Sequence, residues 1–181
     1  MNCVDSLAQH LPKAETNISL LKADETLHAA ILECLESAIV ELSSVWQKKI
    51  LRAVLFGKIY VDSQFDSSEY LRTVLTLQVL NQLRSNEVGL FLTHDQLVNA
   101  GWDEVTDMLL HRNLHYLAVK ILDIVDEQPL IEKVYLHWCC SKIQKELNMS
   151  DSELFKTISA KIQGKLLPLL EISAVALQEG R

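Results

Sequence analysis

Between Leu109 and Cys140 the chain reads LLHRNLHYLAVKILDIVDEQPLIEKVYLHWCC, and its apolar residues leave little freedom of fold. Leu114, Leu117, Ala118, Ile121, Leu122 and Val125 recur at spacings of three and four, which places them on one stripe of a helix. Ile131, Val134, Tyr135 and Trp138 repeat the pattern after the polar turn Asp126-Glu127-Gln128-Pro129, with Pro129 suited to a first helical turn. A helical hairpin with apolar residues on two sides cannot bury both alone. It needs neighbours, and a stack of helix pairs provides them.

The rest of the chain agrees with that demand. Only five Gly and three Pro interrupt 181 residues, and 49% of the residues are hydrophobic. Few breakers favour long helices, and the apolar content argues against disorder. The expected class is all-α: an α-solenoid of stacked helix pairs, about eight helices. A formal charge of −7 disfavours a general nucleic-acid binder and broad contact with anionic lipid. No apolar run approaches the ~18 residues of a membrane span, and MNCVDSLAQHLPK lacks the layout of a signal peptide. Cytosolic, reduced thiols are expected of Cys3, Cys34, Cys139 and Cys140, whose spacing suits neither a metal site nor a disulfide framework.

Along the chain, residues 1–22 read as a peripheral segment, with a short helix through Val4, Leu7, Ala8 and Leu11 stopped by Pro12. Residues 23–181 read as the solenoid fragment. Asp24 is the expected cap of its first helix, and a break is expected at Ser43-Ser44. The next helix, Val45 to Val61, carries Trp46, Ile50, Ala53, Val54 and Gly57 on one stripe. Leu51, Leu55 and Phe56 widen that face, which predicts a central helix. Asp62 to Asp66 forms a turn, and Ser67 or Ser68 caps a helix whose face holds Tyr70, Val74, Leu77, Leu80 and Asn81. Val88 to Leu92 is a buried connector. Gly101 closes a short helix from Asp95, and a further helix follows from Asp103 to Arg112. Ser150 with Glu153 fits a capping box ahead of Leu154, Ile158 and Ile162, and Pro168 opens the last helix.

Chemistry is harder to find. His111 and His115 stand four apart, a spacing that can hold zinc, but Asn113 divides their helices and no ligand nearby completes a set. His137 and Cys140 share a helical face, which Cys139 does not, and two ligands do not make a zinc site. Gly57-Lys58 has no glycine-rich loop before it and cannot cradle a phosphate. Glu33, Glu36 and Glu41, and Asp103, Glu104 and Asp107, are expected on solvated faces. Trp46, Trp102 and Trp138 are expected as core anchors, with Trp102 the best candidate for an exposed hot spot. No catalytic, cofactor-binding or metal-binding residue is assigned, and partner-binding residues are left open.

Five blocks in order carry a resemblance: LRAVLFGK (Leu51–Lys58), LQVLNQLR (Leu77–Arg84), VGLFLTHDQL (Val88–Leu97), LLHRNLHYLAVKI (Leu109–Ile121) and LHWCC (Leu136–Cys140). Over about Val45 to Arg181 the chain resembles the vacuolar protein sorting protein 16 family, subunits of the class C core of the HOPS and CORVET tethering complexes. It departs from that pattern where Phe91 and Tyr116 stand in place of prolines. The resemblance is to the early part of an α-solenoid, without the family's N-terminal β-propeller or its later helices, where a Sec1-type subunit docks. It implies a segment of a longer protein, with an apolar end exposed near Arg181. It also implies a non-enzymatic scaffold without cofactors, whose partners are tethering-complex subunits. The expected location is cytoplasmic and peripheral on late endosome and lysosome or vacuole membranes. Another helical-repeat adaptor, or a small helical enzyme using His111, His115 or His137, is the alternative.

Overall fold

The computed structural model describes residues 3–23, 26–61 and 66–181, with side chains described except at 3–11 and 23. Among them lie nine helices and no strand, so the all-α class holds. They are α1 (Cys3–Ala23), α2 (Leu27–Val40), α3 (Ser44–Lys58), α4 (Ser67–Leu83), α5 (His94–His111), α6 (His115–Val125), α7 (Gln128–Lys145), α8 (Asp151–Ile162) and α9 (Leu169–Gln178). The chain divides into two compact units, Met1–Asp95 and Gln96–Arg181.

In the first unit α2 is central. Leu27, Ile31, Leu35 and Ala38 form its buried stripe, and α1, α3 and α4 all pack on it. Ile18 of α1 and Val54 of α3 complete the core, with Leu51, Phe56, Tyr60 and Tyr70 packed around it. Gly57 allows the close approach of α3: a Cβ there would stand 3.2 Å from both Cγ1 and Cδ1 of Ile31. The expected stop at Pro12 does not occur, because α1 runs through it. A proline inside a helix forfeits one backbone hydrogen bond, and downstream the Thr16 hydroxyl donates to the Pro12 carbonyl at 2.8 Å.

The expectation for α3 needs correction as well. Trp46, Ala53 and Leu55 are exposed, and Gln47 takes the buried place in the first turn. Its side-chain amide donates to the Glu41 carbonyl at 2.7 Å and accepts from Asn81 Nδ2 of α4 at 2.7 Å. A buried amide is stable only when so paired. The cap of α4 is Asp66, which accepts from Ser68 N at 2.8 Å; neither serine caps it. Asp24 and residues 62–65 lie outside the described residues. In the Val88–Leu92 connector Val88 and Leu90 are buried and Phe91 is exposed.

In the second unit α7 is central. It packs on α6, α8 and α9. Ile131, Val134, Cys139 and Ile143 are its buried residues, and the last two join Leu154, Ile158 and Ile172 in a core shared with α8 and α9. This is the two-sided burial that the apolar pattern of the hairpin demands. Only Asp126 and Glu127 separate α6 from α7, and Asp126 closes α6 in the left-handed conformation at φ 59°. Pro129 stands in the first turn of α7. Gly101 breaks α5 with φ 75° and ψ 167°, a backbone region open essentially to glycine alone. The Ser150–Glu153 capping box forms at α8. Tyr116 lies in the first turn of α6, where a proline is equally compatible with a helix, so its substitution leaves the framework intact.

Candidate functional site

Of the residues singled out for chemistry, the structure brings together one pair, His115 and His137. His115 Nε2 and His137 Nδ1 stand 2.8 Å apart and share a hydrogen bond between α6 and α7, with ring centroids 5.1 Å apart. The sequence pattern did not pair them. His111 is exposed on α5, and its Nδ1 donates to the Asp107 carbonyl at 2.7 Å. Among the described residues no group of three or more His, Cys, Asp or Glu is arranged to hold a metal ion.

Both imidazoles of the pair hold their protons weakly. Burial lowers the pKa of His115, and the His137 and Lys145 charges lower it further, against a raising backbone bond at Asn113. Burial also lowers His137, with Lys145 and His111 adding to the effect and Asp107 opposing it. A histidine whose folded pKa lies below its unfolded one takes up more protons when unfolded. Stability is therefore full above the ordinary histidine pKa and falls as pH drops through it toward the folded values. The chain melts at a lower temperature at pH 5.5 than at pH 7.5. The difference is modest, because both rings are partly solvated and water screens the charges around them. His137→Gln flattens that dependence. Parallel melting curves for the two proteins across this range would remove the pair from the explanation.

The two thiols of α7 are poorly suited to nucleophilic chemistry. Burial, helped by Cys140, pushes Cys139 up to about 11, and burial with the Glu171 charge raises Cys140. Thiols held protonated at neutral pH are weak nucleophiles. The Lys58 ammonium donates to Ser67 Oγ at 2.7 Å. Lys133 of α7 bridges Asp103 at 2.8 Å and Asp107 at 2.6 Å on α5, so two of the acidic residues are ion-paired. The exposed tryptophan is Trp46, at 55%, while Trp102 and Trp138 are half-buried. Trp46 faces solvent because Gln47 occupies the inward position of that turn, and Lys49 Nζ sits 4.0 Å from its ring centroid.

Among the concave features of the second unit, two have largely apolar or aromatic linings. The larger is an apolar groove between α8 and α9, lined by Leu154, Phe155, Ile158, Ile162, Leu169 and Ile172 among others. In the same C-terminal segment Leu166, Leu170 and Leu177 are exposed. Arg181 caps that region: Nε donates to Asp151 Oδ1 at 2.8 Å, Nη1 to the Glu146 carbonyl at 2.9 Å, and Nη2 to the Met149 carbonyl. The smaller is a cleft of about 360 Å³ along α6 and α7, which holds His115 in its wall. No helix of the described residues is long and apolar enough to cross a membrane.

Comparison with known proteins bears out the family resemblance. The family described as "Vps16, N-terminal region" matches residues 1–72, so the likeness extends ahead of Val45 to the first residue. The Vacuolar protein sorting-associated protein 16 homolog of Dictyostelium discoideum is 29% identical over 162 residues, covering 90% of this chain and 19% of that protein. Protein VACUOLELESS1 of Arabidopsis thaliana is 28% identical over 162 residues, covering 90% of this chain and 18% of its own. The Drosophila melanogaster homolog is 26% identical over 174 residues, covering 93% and 20%. The chain thus spans about a fifth of the length of the curated relatives it matches.

Proposed function

We propose that this chain, similar to Vps16 proteins over most of its length, is a helical scaffold segment of a vacuolar protein sorting subunit. The observation that carries the reading is likeness to Vps16 relatives from slime mould, plant and fly over about nine-tenths of the chain. Its role is mechanical: stacked helices hold other subunits in place, and exposed edges of the stack make the contacts. It catalyses nothing and needs no cofactor. Thiols kept protonated by burial suit a packing role. Its partners are protein subunits of a HOPS- or CORVET-type tethering complex, and it reaches late endosomes and lysosomes or vacuoles through them. The exposed Leu166, Leu170 and Leu177 suit a segment made to sit among further protein.

The test is co-isolation. The tagged chain, expressed in cells of its own source, is purified and its companions identified by mass spectrometry. Recovery of class C subunits at ratios far above a tag-only control is the expected result. Recovery of none of them would overturn the assignment.

A further inference from the structure

The cleft along α6 and α7 has a chemistry that the scaffold role does not use. On α6, Tyr116, Val119, Lys120 and Asp123 line it beside His115, and on α7 Val134, Tyr135 and Trp138 form the opposite wall. Spacings of three and four put each set on one side of its helix. Lys161 of α8 also lines it. Two ammonium groups lie near aromatic rings of the lining: Lys120 Nζ is 5.7 Å from the Tyr116 ring centroid, and Lys165 Nζ, outside the lining, is 4.1 Å from that of Tyr135. Among the described residues, Lys120, Lys161 and Lys165 make no ion pair with any carboxylate. In a chain of net charge −7 the cleft carries two lysines, Lys120 and Lys161, against one carboxylate, Asp123, with the Lys165 ammonium over Tyr135 beside them.

We propose that this cleft binds a short acidic and aromatic segment of a partner protein, an Asp or Glu beside a Phe, Tyr or Trp. The aromatic ring of the segment packs between Tyr116, Tyr135 and Trp138, and its carboxylates meet Lys120 and Lys161. The volume lies at the small end of the ~300–1,000 Å³ usual for binding sites, which suits a few side chains. Three features favour a peptide over a phosphorylated headgroup. Much of the lining is apolar or aromatic and calls for carbon surface on the ligand. Asp123 in the wall can accept a peptide N–H. No arginine lines the cleft to grip a phosphate in two-pronged fashion. The assignment stands on the second unit alone and does not depend on the sorting role.

The test uses the full chain labelled with ¹⁵N and the blocked peptide acetyl-Glu-Phe-Glu-Phe-amide, followed through the Trp138 indole N–H resonance. The resonance is assigned with Trp138→Phe. The expected result is a saturable shift that weakens at least about tenfold in Lys120→Glu/Lys161→Glu, two exposed changes whose fold is checked by circular dichroism. The Gln-Phe-Gln-Phe counterpart binds more weakly by a similar factor. Three outcomes would overturn the proposal: no shift at millimolar peptide, equal binding of the uncharged counterpart, or a shift produced by inositol trisphosphate or phosphatidylserine vesicles but not by the peptide.

Discussion

Ile31→Ala lowers the stability of the chain by about 2–5 kcal/mol, the usual cost of emptying a buried aliphatic site. Ile31 is 3% exposed on the central helix of the first unit. Its Cγ1 and Cδ1 lie against Gly57, where no side chain stands ready to move inward. A site that cannot collapse keeps its cavity, so the loss belongs in the upper part of that range. The conservative Ile31→Val costs about 0.5–1.5 kcal/mol. Combining Ile31→Val with Gly57→Ala tests the cause. Alone, the added methyl of Gly57→Ala crowds Cγ1 and Cδ1 of Ile31 at 3.2 Å; beside valine, which lacks the δ carbon, it loses one of those two contacts. The pair is then less destabilised than the sum of its parts. Urea denaturation monitored at a helical wavelength measures all four proteins. Strict additivity would show that Ile31 and Gly57 do not share the space.

Gln47→Ala costs about 1–3 kcal/mol through unmade hydrogen bonds, although it removes no large apolar group. The side chain is 2% exposed, and its amide ties the Glu41 carbonyl and the Asn81 amide together. Truncation leaves those groups without their partner. Asn81→Ala removes the α4 side of the pair but keeps the Glu41 bond, so it costs less. The double variant costs less than the two singles added, because the shared bond is lost only once. Equal costs for the two singles would mean that the bond to Glu41 contributes nothing. This amide also fixes the turn that exposes Trp46, since it joins the start of α3 to the end of α2.

Much of the fold was legible in the sequence because it follows from periodicity and local caps. The stripe on α6 predicts the burial of Ala118, Ile121 and Leu122. The pattern on α7 marks Ile131 and Val134. Ser150 with Glu153 marks the start of α8, and Gly101 the break in α5. What was not legible depends on register between helices. A stripe says which side of α6 turns inward, but not which residue of α7 each position meets. His115 and His137 are 22 residues apart in sequence and meet only because α6 and α7 pack at one particular offset. Gln47 was hidden for a related reason. A polar residue inside an apolar stretch reads as solvent-facing until a partner such as Asn81, 34 residues away, is placed beside it. Hydrophobicity then assigns the inward position to Trp46, the wrong neighbour. Pro12 shows the limit of local rules, since one lost backbone bond does not end a helix whose later turn delivers Ile18 to the core.

The position of Cys139 turns the second unit into its own clock. Its sulfur is fully enclosed and its pKa is raised to about 11, so a soluble alkylating reagent meets no thiolate while α7 stays packed on α8 and α9. Modification requires that layer to part, so its rate equals the intrinsic rate for a free thiol multiplied by the fraction of time spent open. Alkylation at Cys139 followed by mass spectrometry is therefore a free-energy scale for the separation of these helices. Any molecule that clamps them together slows the clock by the factor with which it favours the closed layer.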